Sequence, residues 1–185
     1  MVDQGRNPAM TPWTATDVEQ SLPRLRSYAR ALTRDAVAAD DLVQEALLRA
    51  YERAATFRPG NSLRSWLLSI VHNLFIDQKR REASEQRRNA RVAALDPGIV
   101  VQGGQEQAVW LAEVAARFDA LPDEQRAVAS LIIVQGVSYQ EAAETLDVPV
   151  GTVMSRLHRA RAALREPHHA GNARLHIVGG RDAGA

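Results

Sequence analysis

The sequence contains no cysteine. Disulfides, thiolate zinc sites and a cysteine nucleophile are therefore excluded. No apolar run approaches the ~18 residues of a membrane-spanning helix. The N-terminal stretch is polar and broken by Pro8 and Pro12, unlike a secretory signal. The expectation is a cytoplasmic protein without membrane insertion. Charge of one sign is not in excess: the formal net charge is +1. Any attraction to an anionic partner must then come from local segregation of charge. Clustered carboxylates or histidines at metal-ligand spacing are also missing, since His72 and His158 fall in different halves. His168 and His169 adjoin each other in a glycine-rich tail, which offers no framework for a metal. No metal, no cofactor and no enzymatic chemistry are expected.

What is present is a helical pattern in a chain of 185 residues, 45% of them hydrophobic. That composition suits one domain or two small ones. Leu22, Leu25, Tyr28, Ala29 and Leu32 recur three and four apart, marking one apolar face from about Asp17 onward. A second helix is predicted over 38–54, burying Leu42, Ala46, Leu47, Ala50 and Tyr51. "RPGN" at 58–61 is turn chemistry. A third helix is predicted over 62–81, with Leu63, Trp66, Leu67, Ile70, Leu74 and Phe75 as core candidates. No stretch alternates as a strand would, so the class is all-α.

Periodicity fades over 82–107, a polar, glycine-containing stretch that reads as a flexible linker. It returns with Val109, Trp110, Val114, Ala115 and Phe118. "LPDEQ" restarts a helix, with Pro122 near its first position and Asp123 and Glu124 favoured by the dipole. Gly136 is a stop signal. Ser138 with Glu141 forms a capping box opening a short helix, and "DVP" leaves only a tight turn before the last one. Two short helices so joined read as a helix-turn-helix. The expected organisation is a flexible leader at 1–16, a three-helix domain at 17–82, a linker at 83–105, a helix-turn-helix domain at 106–166 and a disordered tail at 167–185.

The last helix, "PVGTVMSRLHRARAAL", carries no acid. Stepping 100° per residue places Val153, Leu157, Ala160 and Leu164 in one narrow stripe facing the core. Thr152, Ser155, His158, Arg159 and Ala162 lie opposite, flanked by Arg156 and Arg161. Small polar residues at the centre with arginines at the edges suit a DNA major groove, whose base edges lie between phosphate walls. A membrane-surface helix would need large apolar residues on that face.

Two other constellations stand out. Asp40, Asp41 and Glu45 precede Arg49 in the second helix, and with Gln44 they share an exposed surface. An acidic strip repels DNA, so this face suits a protein, although acids in a first turn also serve the helix dipole. At the end of the third helix, Asn73, Asp77, Lys79, Arg80 and Arg81 leave the apolar stripe. Asn is a poor helix former able to bond base edges. Trp66 and Phe75 have rings that stack on unpaired bases or pack in a core; core spacing favours packing for Trp66, while for Phe75 both readings stand.

Together, "DDLVQEALLRAYERAATFRPGNSLRSWLLSIVHNLFIDQKRR" and "LPDEQRAVASLIIVQGVSYQEAAETLDVPVGTVMSRLHRARAAL" resemble the sigma-2 and sigma-4 domains of the extracytoplasmic-function group of bacterial sigma-70 family RNA polymerase sigma factors. The resemblance implies an alternative sigma factor that binds core RNA polymerase and directs promoter-specific initiation. It implies that Asp40, Asp41, Gln44, Glu45 and Arg49 dock on the clamp coiled coil of β′, with β also contacted. Asn73, Asp77, Lys79, Arg80 and Arg81 would bind the −10 element, and Thr152, Ser155, Arg156, His158, Arg159 and Arg161 the −35 element. An anti-sigma factor is a further implied partner. Met154 departs from the pattern, standing where the family usually has Lys or Arg.

The linker fits this reading. About 25 residues reach at most ~80 Å, and two promoter elements roughly 20 base pairs apart lie ~70 Å from one another. The alternative function is a free-standing helix-turn-helix regulator. The acidic second helix and basic end of the third argue against it, and so does the linker.

Overall fold

A computed structural model describes residues 11–58, 60–88 and 106–165, and every regular element among them is helical. The leader before Thr11 and the tail from Glu166 lie outside the described residues, as do 89–105 of the expected linker.

α1 (Ala15–Thr33) starts two residues before Asp17 because Thr14 is its N-cap, and Asp17 closes a capping box on the Thr14 backbone. The end of the expected leader is therefore ordered by chemistry the sequence displays. Trp13 is buried, its ring 5.4 Å from that of Phe57 and 5.1 Å from that of Trp66. Such tilted and edge-on aromatic contacts stabilise beyond the area they bury. Residues 11–16 thus clamp the bundle instead of forming a leader.

α2 (Ala36–Glu52) is capped by Asp35, whose side chain accepts from the Ala38 N–H. A short 3-10 turn over Ala54–Thr56 and the loop with Gly60 at φ 100 lead into α3 (Leu63–Arg88). α3 continues past Arg81 to Arg88, through residues assigned by sequence to the linker. Glu, Gln, Ala and Arg there are good helix formers, and no glycine or proline interrupts them until Pro97. Leu67, Leu68 and Val71 of α3 are sealed against Leu25, Tyr28 and Leu32 of α1 and Leu42 and Ala46 of α2. Each fully buried leucine contributes about 1.5–3 kcal/mol. Tyr51, expected in this core, is instead half exposed beside it.

α4 (Glu106–Asp119) and α5 (Asp123–Ala129) follow, and α5 widens into a single π turn over Ser130–Val134. Gly136 at φ 67 ends it. α6 (Tyr139–Leu146) opens with the capping box of Ser138 and Glu141. Asp147, in the left-handed region at φ 51, turns the chain into α7 (Val150–Arg165). Val153, Leu157 and Ala160 of α7 are buried, with Leu164 half-buried at its end.

The two parts pack directly on each other. Ala127, Val128, Leu131, Ala142, Ala143 and Leu146 belong to the same apolar cluster as Leu25, Tyr28, Leu68 and Val71. Polar contacts cross the same boundary. Arg24 donates to the Gln135 carbonyl, Arg34 to the Asp119 carbonyl and Ser65 to the Glu141 carboxylate. The guanidinium of Arg126, with no exposed surface, donates to the carbonyls of Ala31 and Leu32 as well as to Leu121 and Asp123. A buried cation is tolerated only when so fully partnered.

Candidate nucleic-acid and protein interfaces

On α7 the core stripe turns the remaining residues outward. Ser155, His158, Arg159 and Arg161 are exposed and Thr152 is half-buried. The Ser155 hydroxyl donates to the Thr152 carbonyl at 3.0 Å, so it lies flat on the helix. Arg156 is different. Its side chain is only 20% exposed and meets Glu124 of α5 at 2.7 Å. The basic surface of α7 is thus centred on His158, Arg159 and Arg161, with Arg156 engaged at its edge.

On α3, Asn73, Asp77, Lys79, Arg80 and Arg81 are all exposed, as their spacing away from the apolar stripe requires. Asp77 lies 3.9 Å from Arg80, and Lys79 pairs with Glu82 at 3.8 Å while its ammonium stands over the Phe75 ring. Phe75 is 4% exposed and Trp66 is half-buried between Trp13 and Phe57, so both rings are engaged in packing.

Asn73, Asp77 and Arg80 line a cavity of about 580 Å³ whose other wall carries Asp123, Glu124 and Arg156. His72 closes its floor, with Nδ1 3.1 Å from the Tyr28 hydroxyl. Burial, aided by the charge of Arg156, pulls the His72 pKa down to about 4. Burial likewise raises that of Tyr28. The neutral pair is held within the core where the two parts meet.

On α2, Asp40, Asp41 and Gln44 are exposed and Glu45 and Arg49 partly so. Asp40 turns toward α1, meeting Arg26 at 3.2 Å, and Arg49 is shared between Glu45 and Glu52. Asp41 and Gln44 fall in a line the sequence reading did not find: Val37, Asp41, Gln44, Leu48 and Tyr51. Val37 is 72% exposed, Leu48 66% and Tyr51 51%. Spacings of four, three, four and three are those of a coiled-coil seam, with Tyr51 at its end tilted against the Trp13 ring at 6.5 Å. The signal was a second apolar period in α2, masked by the stronger core stripe.

Also missed were Arg24, Arg34 and Arg126. Each reaches a backbone carbonyl distant in sequence, which no local pattern reveals.

Fold and surfaces define a two-part protein, all-helical among the described residues, with a helix-turn-helix whose second helix is basic and, on α2, an acidic, partly apolar face. Residues 18–85 match the family model for sigma-70 region 2, and residues 111–164 that for sigma-70 region 4. The chain is 37% identical over 170 residues to the ECF RNA polymerase sigma factor EcfG of Rhodopseudomonas palustris, covering 91% of this chain and 88% of that protein. It is 36% identical over 138 residues to the ECF RNA polymerase sigma factor SigW of Bacillus subtilis, covering 69% and 74%. Among solved structures it is similar to the sigma factor RpoE from Bartonella quintana, crystallised with the anti-sigma factor NepR. The TM-score is 0.70 at 30% identity, covering 80% of this chain and 92% of that one. The chain belongs to the extracytoplasmic-function group of sigma-70 family RNA polymerase sigma factors. It is an alternative sigma factor, directing promoter-specific transcription initiation, and the free-standing regulator is not favoured. No helix among the described residues is long and apolar enough to cross a membrane.

Proposed function

We propose that three helix faces divide the work of initiation. The α2 seam, with Asp40, Glu45 and Arg49 along its border, docks on the β′ clamp coiled coil of core RNA polymerase. The exposed side of α3 from Asn73 to Arg81 takes the −10 element, and α7 takes the −35 element as duplex. The chain forms no covalent intermediate and serves by positioning, in the cytoplasm where core polymerase works. The observation that carries this reading is the segregation of charge between elements. α7 exposes cations without a single acid, whereas α2 exposes a heptad-spaced seam bordered by carboxylates.

Promoter elements ~70 Å apart cannot both be read while Asn73 and Arg156 line one cavity. The reading state therefore requires the two parts to separate. Since α3 runs to Arg88 and α4 starts at Glu106, a stretched connection over 89–105 would span ~56 Å. Residues 82–88 of the helix add ~10 Å at 1.5 Å each. The sum is shorter than the all-linker reach and still commensurate with the promoter. The packed arrangement is the one an anti-sigma factor would hold, by analogy with the RpoE–NepR complex.

Run-off transcription by polymerase reconstituted with the full chain tests the assignment. Arg159→Ala should cut initiation at least tenfold and be sensitive to the −35 sequence. Asn73→Ala should change base preference within the −10 element while sparing −35 dependence. Unchanged preference in the second variant would remove Asn73 from the −10 site.

A further inference from the structure

Along α7 every exposed side chain is polar, charged or small except one. Met154 is 53% exposed and is the large apolar residue this helix leaves outside. Its neighbourhood is low. Gly151 lies one turn before it, exposed, and a Cβ placed there would meet nothing within 4 Å. Packing inside the chain therefore does not demand glycine at 151. Ser155, beside Met154, folds its hydroxyl back onto the Thr152 carbonyl. Met154 is thus exposed among small side chains in the N-terminal half of α7, with His158 one turn on and Arg159 and Arg161 beyond.

The N-terminal half of a recognition helix is the part that meets base edges. The C5-methyl of thymine is the apolar group that the major groove displays there. A thioether has no proton to donate to guanine and no charge for a phosphate, but it is flexible and polarizable enough to close on a methyl group. A lysine or arginine at this place would do the opposite.

We propose that Met154 is a specificity-determining residue of α7 that reads a thymine of the −35 element through its C5-methyl group. This rests on the assignment of α7 to the −35 duplex. Two consequences follow from the chemistry. Replacing that thymine by deoxyuridine, which lacks only the methyl, weakens binding about fourfold, the equivalent of one buried methylene. Exchanging Met154 for lysine adds a phosphate-seeking charge and steepens the salt dependence of binding by about 0.9 in log–log slope.

The test uses core polymerase reconstituted with the full-length chain, wild type or Met154→Lys, and promoter DNA selected by each from a library randomised upstream. The wild-type pool should fix a T·A pair that the Met154→Lys pool relaxes. Deoxyuridine at that position should weaken the wild type about fourfold and the variant by less than half as much. Identical base preferences in the two pools, or uracil tolerated at every selected thymine, would overturn the proposal. Arg159→Ala on the same DNA separates the two levels of inference. Its weakened binding alongside uracil tolerance discards only the role of Met154, whereas full binding by Arg159→Ala discards α7 as the −35 reader and this proposal with it.

Discussion

Asn73 of α3 and Arg156 of α7 line one cavity, though the proposal above gives their helices to different promoter elements. The cavity is an open cleft between the two parts, whose apolar side chains share one core. On the proposed assignment, with α3 for the −10 element and α7 for the −35 element, this arrangement presents neither reader at promoter spacing. On that reading, the contacts that stabilise this boundary oppose promoter reading.

Locking the boundary should abolish initiation. The natural chain has no cysteine, so Ser65→Cys with Glu141→Cys provides a unique thiol pair at a contact now 3.2 Å between side chains. Bridging it with a disulfide-containing bis-maleimide should reduce run-off transcription at least tenfold, and dithiothreitol should restore it. Full activity while bridged would mean that promoter reading occurs in the packed form.

The α2 seam should matter for polymerase and little for folding. Leu48 is 66% exposed, so Leu48→Lys should change unfolding free energy by no more than about 0.5 kcal/mol. A cation placed in the middle of a coiled-coil seam costs far more on docking, so affinity for core polymerase should fall at least tenfold. Asp41→Lys with Glu45→Lys should act in the same direction through charge. Fluorescence anisotropy of labelled chain titrated with core enzyme gives both numbers, and wild-type affinity in Leu48→Lys would refute the seam.

His72 should confer acid sensitivity. Folding lowers its pKa from an ordinary 6.5 to about 4 because the imidazole is buried beside Tyr28 and faces Arg156. Between those values the unfolded chain binds the extra proton. Stability is thus unaffected by this group above pH 6.5 and declines as pH falls toward 4, by up to about 3 kcal/mol. His72→Gln keeps a polar partner for the Tyr28 hydroxyl without titrating. Between pH 7 and 4.5 the wild type should lose about 2 kcal/mol more than this variant in urea unfolding. Equal losses would show that His72 is not held neutral.

Much of this was legible along the chain. The apolar stripes of α1, α3 and α7 placed Leu25, Leu67 and Val153 in the core, and the capping box of Ser138 and Glu141 fixed the start of α6. Local signals of this kind are written at spacings of three and four. Trp13 escaped because an isolated aromatic among polar residues has no period, and its value depends on Phe57 and Trp66 meeting it from afar. The extension of α3 to Arg88 shows no apolar period, since residues 82–88 are mostly polar and charged, although they favour helix. The outward face of α7 was readable, but the capture of Arg156 by Glu124 was not, since it joins residues from two helices.

Arg126 illustrates that limit best and yields the remaining prediction. In sequence it follows Gln125 like any helix-surface arginine. In the fold it is fully buried, and α1 explains why. The last carbonyls of a helix have no donor within it, and those of Ala31 and Leu32 receive theirs from the Arg126 guanidinium. The cation also sits at the negative end of the α1 dipole, while Asp123 at 2.6 Å and the Leu121 carbonyl take its other donors. Arg126→Met fills similar space but leaves those carbonyls unpaired, which should destabilise the chain by about 2–4 kcal/mol. Arg126→Lys should recover less than half of this loss, because an ammonium lacks the planar fork needed for acceptors on both sides. Urea unfolding of the three proteins decides it. An Arg126→Met variant within about 0.5 kcal/mol of wild type would mean that the α1 terminus finds its donors elsewhere and that the two parts are not joined through this residue.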